Sequence, residues 1–149
     1  MSGREEAQKK KQEGNAAYSK KQFDQAIECY NKAIVLDATE ITYYTNLAAV
    51  YFEKKEYSKC VEICDKAIDV GRENRADFKL IAKALARKGN AQRKAGNLLE
   101  AKVAYEKALT EHRTPENRTA LSDIERYVYI CFIVERGGVR VFFKLETTT

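Results

Sequence analysis

The sequence predicts an all-α superhelix of three antiparallel helix pairs, closed by a capping helix and followed by a divergent tail. Three observations carry this prediction. A single Pro and seven Gly in 149 residues leave room for long helices and few tight turns. A set of small and bulky apolar positions recurs with a period near 34 residues. Between these markers the apolar residues fall at steps of three and four, the spacing of one helix face.

Residues 1–6 read as an N-terminal extension. The first copy, 7–40, carries its markers at Gly14, Phe23, Ala26, Tyr30 and Ala33. The second, 41–74, repeats them 34 positions on, at Ala48, Tyr57, Cys60, Cys64 and Ala67. The third, 82–115, follows after a further 41, at Gly89, Leu98, Ala101, Tyr105 and Ala108. A small residue in the first helix of each pair lets the second approach closely, and the bulkier residue fills the gap. Short polar turns separate the two helices, at Lys20-Lys21-Gln22, Lys54-Lys55-Glu56 and Ala95-Gly96-Asn97. One pair cannot bury its apolar face alone, so the copies stack. Period and markers resemble the tetratricopeptide repeat.

Gly71 reads as a left-handed helix stop at the end of the second copy. The seven additional residues before the third copy continue an apolar stripe through Phe78, Ile81, Leu85 and Gly89. A long fifth helix is therefore expected from near Arg75, about 30 Å over roughly 21 residues. After Thr114-Pro115 a capping helix is expected to lay Ala120, Leu121 and Ile124 on the third copy, which completes the repeat domain at residues 7–126. Residues 127–149 change character. The β-branched and aromatic run Tyr127–Val134, then Gly137-Gly138, then alternation through Val139–Lys144 reads as a β-hairpin. Such a tail is compatible with packing on the cap helix, with an oligomerisation edge, or with a translated segment outside the original domain.

The composition excludes several classes. With 33% charged and 44% hydrophobic residues and no long apolar run, the chain is neither a collagen, an unfolded polyampholyte nor a membrane span. The N-terminus has no signal-peptide pattern. Four cysteines in a chain of this length do not form a secreted disulfide framework, so a reducing cytoplasm is the expected location. The net charge is +5, and residues 82–115 alone hold eight basic against three acidic side chains, while the other stretches balance. That local excess points to a local anionic ligand.

First helices of stacked pairs line the inner wall, so their polar faces are where a ligand lies. Lys11 and Asn15 share a face of the first helix, with Tyr18 one turn on. Asn46, Ala49 and Glu53 share a face of the third. Lys79, Lys83, Arg87 and Asn90 form a stripe on the fifth, with Lys83 and Arg87 expected to face solvent. Two Lys, one Arg and two Asn converging on one spot supply hydrogen-bond donors in excess. A peptide C-terminus that ends in Asp, with its α- and side-chain carboxylates, is the matching anion.

These residues carry a closer resemblance. The run GRENRADFKLIAKA from Gly71 to Ala84, with Lys11, Gly14-Asn15 and Thr45-Asn46, resembles the central repeat domain of the Hsp70–Hsp90 organising (stress-inducible phosphoprotein) family over about residues 4–126. Leu80 departs from the family's polar Gln. The resemblance implies a non-catalytic co-chaperone adaptor that binds the Met-Glu-Glu-Val-Asp C-terminus of the 90-kDa heat-shock chaperone. It assigns the two-carboxylate clamp to Lys11, Asn15, Asn46, Lys83 and Arg87, and upstream contacts to Tyr18, Ala49, Glu53 and Asn90. The 70-kDa chaperone tail, which also ends in Glu-Glu-Val-Asp, is the alternative ligand. The anchoring domain of a larger isomerase or phosphatase is the alternative role.

Rival chemistry is poorly supported by the residues. Cys60 and Cys64 share a helix face but occupy core marker positions, so no metal site is expected from them. Cys29, beside Tyr30, reads as buried or half-buried. His112, the only histidine, reads as a helix C-terminal cation rather than a catalytic base. No nucleophile elbow, phosphate loop or dinucleotide pattern occurs, and no cofactor is implied. The basic third copy lacks interleaved aromatics for stacking nucleic acid.

Overall fold

Seven α-helices follow one another along residues 2–137, the part of the chain that the computed structural model describes. They are α1 (Gly3–Ser19), α2 (Phe23–Leu36), α3 (Ile41–Glu53), α4 (Tyr57–Glu73), α5 (Phe78–Lys94), α6 (Leu98–Glu111) and α7 (Pro115–Gly137). Successive helices pack on one another, and α3 additionally touches α1 on one side and α5 on the other. The first helices of the three pairs thus form one continuous wall. Among the described residues no helix is long and apolar enough to cross a membrane.

Each pair closes at its small residue. A Cβ on Gly14 would lie 2.7 Å from the Tyr30 ring, and one on Gly89 would lie 3.0 Å from the Tyr105 ring. Both tyrosines are almost wholly buried. In the middle pair Ala48 and Cys64 take these positions, and they pack with Cys60 and Ala91. The smaller side chain at position 64 tolerates the methyl group at position 48, so contact is kept with less volume on both sides.

The turns share a backbone device. After α1 the N–H of Gln22 reaches the Ala17 carbonyl (2.9 Å) and that of Lys21 the Tyr18 carbonyl (2.9 Å). This is a Schellman closure, with Lys21 left-handed at φ 59°. Lys55 after α3 (φ 61°) and Gly96 after α5 (φ 87°) repeat it, as does Arg75 after α4 (φ 54°). Only one of the four left-handed positions is a glycine, although this conformation costs a side-chain-bearing residue about 1–2 kcal/mol.

Several expectations are corrected. Helix α1 begins at Gly3, so residues 3–6 are not an extension. Ser2 and Glu5 form a reciprocal capping box, with N–H to side-chain distances of 2.9 and 3.3 Å. Gly71 is not a helix stop: it lies inside α4, fully packed, where a Cβ would meet Ile41. The chain leaves the helix at Arg75 instead. Part of the additional sequence lengthens α4, while α5 starts only at Phe78, where the Asp77 carboxylate caps the Lys79 N–H at 2.8 Å. The fifth helix therefore has 17 residues.

The largest correction concerns Tyr127–Val134, which is helical rather than a strand. Helix α7 starts with Pro115 at its first position, and Thr114 accepts from the Asn117 N–H. Ile124 is fully buried against Ala101 and Tyr105, with Leu121 and Val128 beside it. This stripe of steps three and four extends past Tyr127, and extending an existing helix adds a hydrogen bond per residue. Tertiary packing therefore outweighs a weak β-propensity. The second predicted strand, Val139–Lys144, lies outside the described residues. Cys29 is buried. His112 closes α6 as its C-cap and meets the Phe78 ring edge-on at 5.8 Å.

Three substitutions test this packing and these turns. Gly14→Ala forces the locked Tyr30 ring to move and is expected to destabilise by about 1–3 kcal/mol. Gly71→Ala presses on the buried side chains of Ile41 (2.7 Å) and Ile81 (3.2 Å), and the gain in helix propensity offsets part of that cost, so its melting temperature is expected to fall, by less than that of Gly14→Ala. Lys55→Gly relieves a left-handed side chain and is expected to raise the melting temperature by about 2–4 °C.

Candidate functional site

On the wall formed by α1, α3 and α5, two carboxamides meet. The helical repeat of α1 brings Lys11, Asn15 and Tyr18 to one side. The Asn15 Oδ1 accepts from the Tyr30 hydroxyl at 2.7 Å and from the Asn46 Nδ2 at 3.1 Å. One bond comes from beneath and the other crosses to α3. Burial pushes the Tyr30 hydroxyl up to about 12, so it remains a donor at neutral pH. With its oxygen doubly engaged, Asn15 has its N–H₂ group left over among the described contacts. Asn46 is half-buried but not turned into the core.

Helix α5 joins from the other side. The Arg87 guanidinium donates to the carbonyl of Thr45, the residue next to Asn46. The expectation that Arg87 stands in solvent is therefore corrected: it is half-buried and tied to the α3 backbone. Lys83, one turn earlier, is exposed, as is Lys79 beyond it. The Lys11 ammonium lies 5.9 Å from the centre of the Tyr43 ring, held against α3 by the negative ring face. Direct contacts thus link Asn15, Asn46 and Arg87 through α3. Lys11 and Lys83 stand on the same wall without touching either amide among the described contacts. None of Lys11, Lys83 and Arg87 has a carboxylate partner among the described residues.

Tyr18, Ala49, Glu53 and Asn90 gather with Arg87 and Phe52 around a small open pocket of about 210 Å³. Burial raises the Tyr18 hydroxyl, with a contribution from the nearby Glu53 carboxylate, while Arg87 acts in the opposite sense. Asn90 repeats the arrangement of Asn15: its Oδ1 accepts from the Tyr105 hydroxyl. Phe52 is the lining residue that sequence reasoning missed. Its spacing of three from Ala49 places it on that face, and it also stacks edge-on against Tyr57 at 5.6 Å.

Cys60 and Cys64 are free and fully buried. The neighbouring Cys60 side chain, with burial, pushes the Cys64 thiol up. Among the described residues no group of three or more His, Cys, Asp or Glu is arranged to hold a metal.

Comparison with known proteins agrees with this architecture. Two repeat families match the chain, described as "TPR repeat" over residues 14–55 and "Tetratricopeptide repeat" over residues 38–110. An Hsp70–Hsp90 organizing protein of Triticum aestivum is 50% identical over 124 residues, which covers 80% of this chain and 21% of the relative. The chain spans about a fifth to a third of the length of such curated relatives. A solved complex of the TPR2AB domain of yeast Sti1 with an HSP90 peptide superposes with a TM-score of 0.83 at 44% identity, covering 87% of this chain and 50% of that one. The second TPR domain of human RPAP3, in complex with the HSP70 peptide SGPTIEEVD, superposes with a TM-score of 0.72 at 29% identity, covering 83% and 98%. Repeat period, paired helices and these similarities converge: the chain belongs to the tetratricopeptide repeat family and is similar to the repeat domains of Hsp70–Hsp90 organising proteins.

Proposed function

We propose that the wall of α1, α3 and α5 binds the acidic C-terminal tail of a cytoplasmic heat-shock chaperone, and that the domain acts as a non-catalytic adaptor. The observation that carries this reading is the bridge between Asn15 and Asn46 with Arg87 anchored beside it, which joins donors from three helices. A terminal Asp brings two carboxylates a few ångströms apart. Lys11, Asn15, Asn46, Lys83 and Arg87 supply ammonium, amide and guanidinium donors to them, and carboxylates accept only. Charge-assisted hydrogen bonds are worth about 1.5–3 kcal/mol each, so a few of them outweigh peptide ordering and give roughly micromolar affinity.

The preceding residues of the tail fall to the pocket of Tyr18, Ala49, Phe52, Glu53, Arg87 and Asn90. Its mixture of ring faces and polar groups suits an apolar side chain flanked by peptide bonds. The solved relatives carry peptides of both the 90-kDa and the 70-kDa chaperones, and the Glu-Glu-Val-Asp ending of the latter presents the same terminal pair of carboxylates. Resemblance of the segment from Gly71 to Ala84 favours the Met-Glu-Glu-Val-Asp tail of the 90-kDa chaperone.

Titration with Met-Glu-Glu-Val-Asp and its C-terminal amide tests the carboxylate clamp. Amidation removes one of two charges and is expected to weaken binding at least about tenfold, since each lost charged hydrogen bond costs about 1.5–3 kcal/mol; superimposable isotherms overturn the reading. Lys83→Ala is expected to cause a comparable loss with an unchanged melting temperature, because the side chain is exposed. Arg87→Ala removes the bond to Thr45 as well, so binding and melting temperature are expected to fall together.

A further inference from the structure

The buried hydroxyl of Tyr30 bears on the same groove. We infer that Tyr30 is a positioning residue for anion recognition: its hydroxyl fixes the Asn15 carboxamide in the one orientation that turns N–H₂, and not oxygen, toward a carboxylate. The inference rests on reading the groove as a carboxylate site.

A carboxamide rotated by half a turn exchanges a donor for an acceptor with almost no change in shape. At a site for an anion the two orientations are opposite in effect, because an amide oxygen repels a carboxylate. Something must therefore select one. Lys11, Lys83 and Arg87 carry no acceptor and do not touch the Asn15 side chain among the described contacts. Tyr30 does, at 2.7 Å, from a position that is 2% exposed. Its ring is wedged under Gly14, where a Cβ would collide at 2.7 Å, so the hydroxyl is delivered to the very next residue of α1. A buried hydroxyl needs an acceptor, and the Asn15 oxygen provides it. That oxygen also accepts from Asn46. The second carboxamide is thereby oriented through the first, with one N–H spent and its oxygen fixed.

Comparison of the repeats within this chain supports a coupled device. Gly89, Asn90 and Tyr105 reproduce Gly14, Asn15 and Tyr30, including the hydroxyl-to-amide bond. In the second repeat the three positions are Ala48, Ala49 and Cys64. There the amide and the hydroxyl are missing together. The aromatic wedge is not needed to close a helix pair, since Ala48 and Cys64 close one without it. Where a carboxamide faces the groove at this position, a tyrosine stands under it.

The experiment is a set of titrations with the free-acid pentapeptide Met-Glu-Glu-Val-Asp and its C-terminal amide. Tyr30→Phe removes one oxygen atom and is expected to weaken free-acid binding about twofold to tenfold, the range of one hydrogen bond's net contribution. Binding of the amide is expected to change much less. Adding Tyr30→Phe to Asn15→Ala is expected to change nothing further, as no carboxamide is left to orient. Tyr105→Phe makes the same deletion under Asn90 and is expected to leave the acid-to-amide ratio at its wild-type value. Asn15→Asp keeps an acceptor for Tyr30 but turns an anion toward the ligand, so its loss should exceed that of Asn15→Ala.

Wild-type affinity in Tyr30→Phe overturns the inference while leaving the carboxylate reading intact. An undiminished effect of Tyr30→Phe alongside Asn15→Ala overturns it too, because the hydroxyl then acts by another route. Equal losses in Asn15→Asp and Asn15→Ala show that the amide N–H₂ does not face the ligand, and overturn it independently of how Tyr30→Phe folds. If wild-type protein does not distinguish acid from amide, the carboxylate reading fails and this inference with it.

Discussion

Close approach at one point within each helix pair is the constraint on which the rest depends. Where Gly14 lies over Tyr30 and Gly89 over Tyr105, the missing methyl group lets an aromatic ring lie directly under the first helix. That contact sets the distance and rotation of the pair, and therefore which residues of the first helix face away from the core. Fixing the rotation of α1 fixes Lys11, Asn15 and Tyr18 as a group, and fixing α5 fixes Lys83, Arg87 and Asn90. Helix α3, held between them, supplies Asn46, Ala49, Phe52 and Glu53. The groove is thus a by-product of how the pairs close, and its polar residues need no loop to hold them.

Much of this was legible because the relevant information is local. The repeat of Gly14, Tyr30 and their equivalents reports a contact within one helix pair, and spacing by three or four places Asn15 beside Lys11 without further knowledge. The same spacing put Asn46 on the open face of α3 and Glu53 with it. What was not legible depends on partners distant in sequence. Tyr30 read as core volume, and only the packed pair reveals that its hydroxyl reaches Asn15. Arg87 read as a solvated cation, although its acceptor is a backbone carbonyl on another helix. Phe52 carries no surface signal in the sequence, because aromatic residues on a repeat helix are usually interior.

Two of the differences in chain path, at Gly71 and from Tyr127 onward, have another origin. Gly71 has the right composition for a helix end, but its lack of a side chain serves the approach of Ile41 and Ile81, and the left-handed turn falls on Arg75. Residues from Tyr127 onward have strand-like composition, yet Leu121, Ile124 and Val128 keep the helical step against α6, and the backbone follows the packed stripe. In both cases a residue type with two uses was assigned the commoner one. Neither error reaches the groove, since α4 and α7 contribute nothing to its polar face.

The bond from Arg87 to the Thr45 carbonyl has an energetic side. One of the five guanidinium N–H donors is committed to the Thr45 carbonyl, and the others remain to meet the carboxylate that the proposed reading brings to the groove. The same tether spares the long side chain much of its rotamer entropy, which would otherwise be lost at the moment of association. A loosely held cation would offer a larger gross attraction and a larger ordering cost. Here the immobilisation has been met during folding, so the cradle is already stiff at the place the proposed reading assigns to the anion.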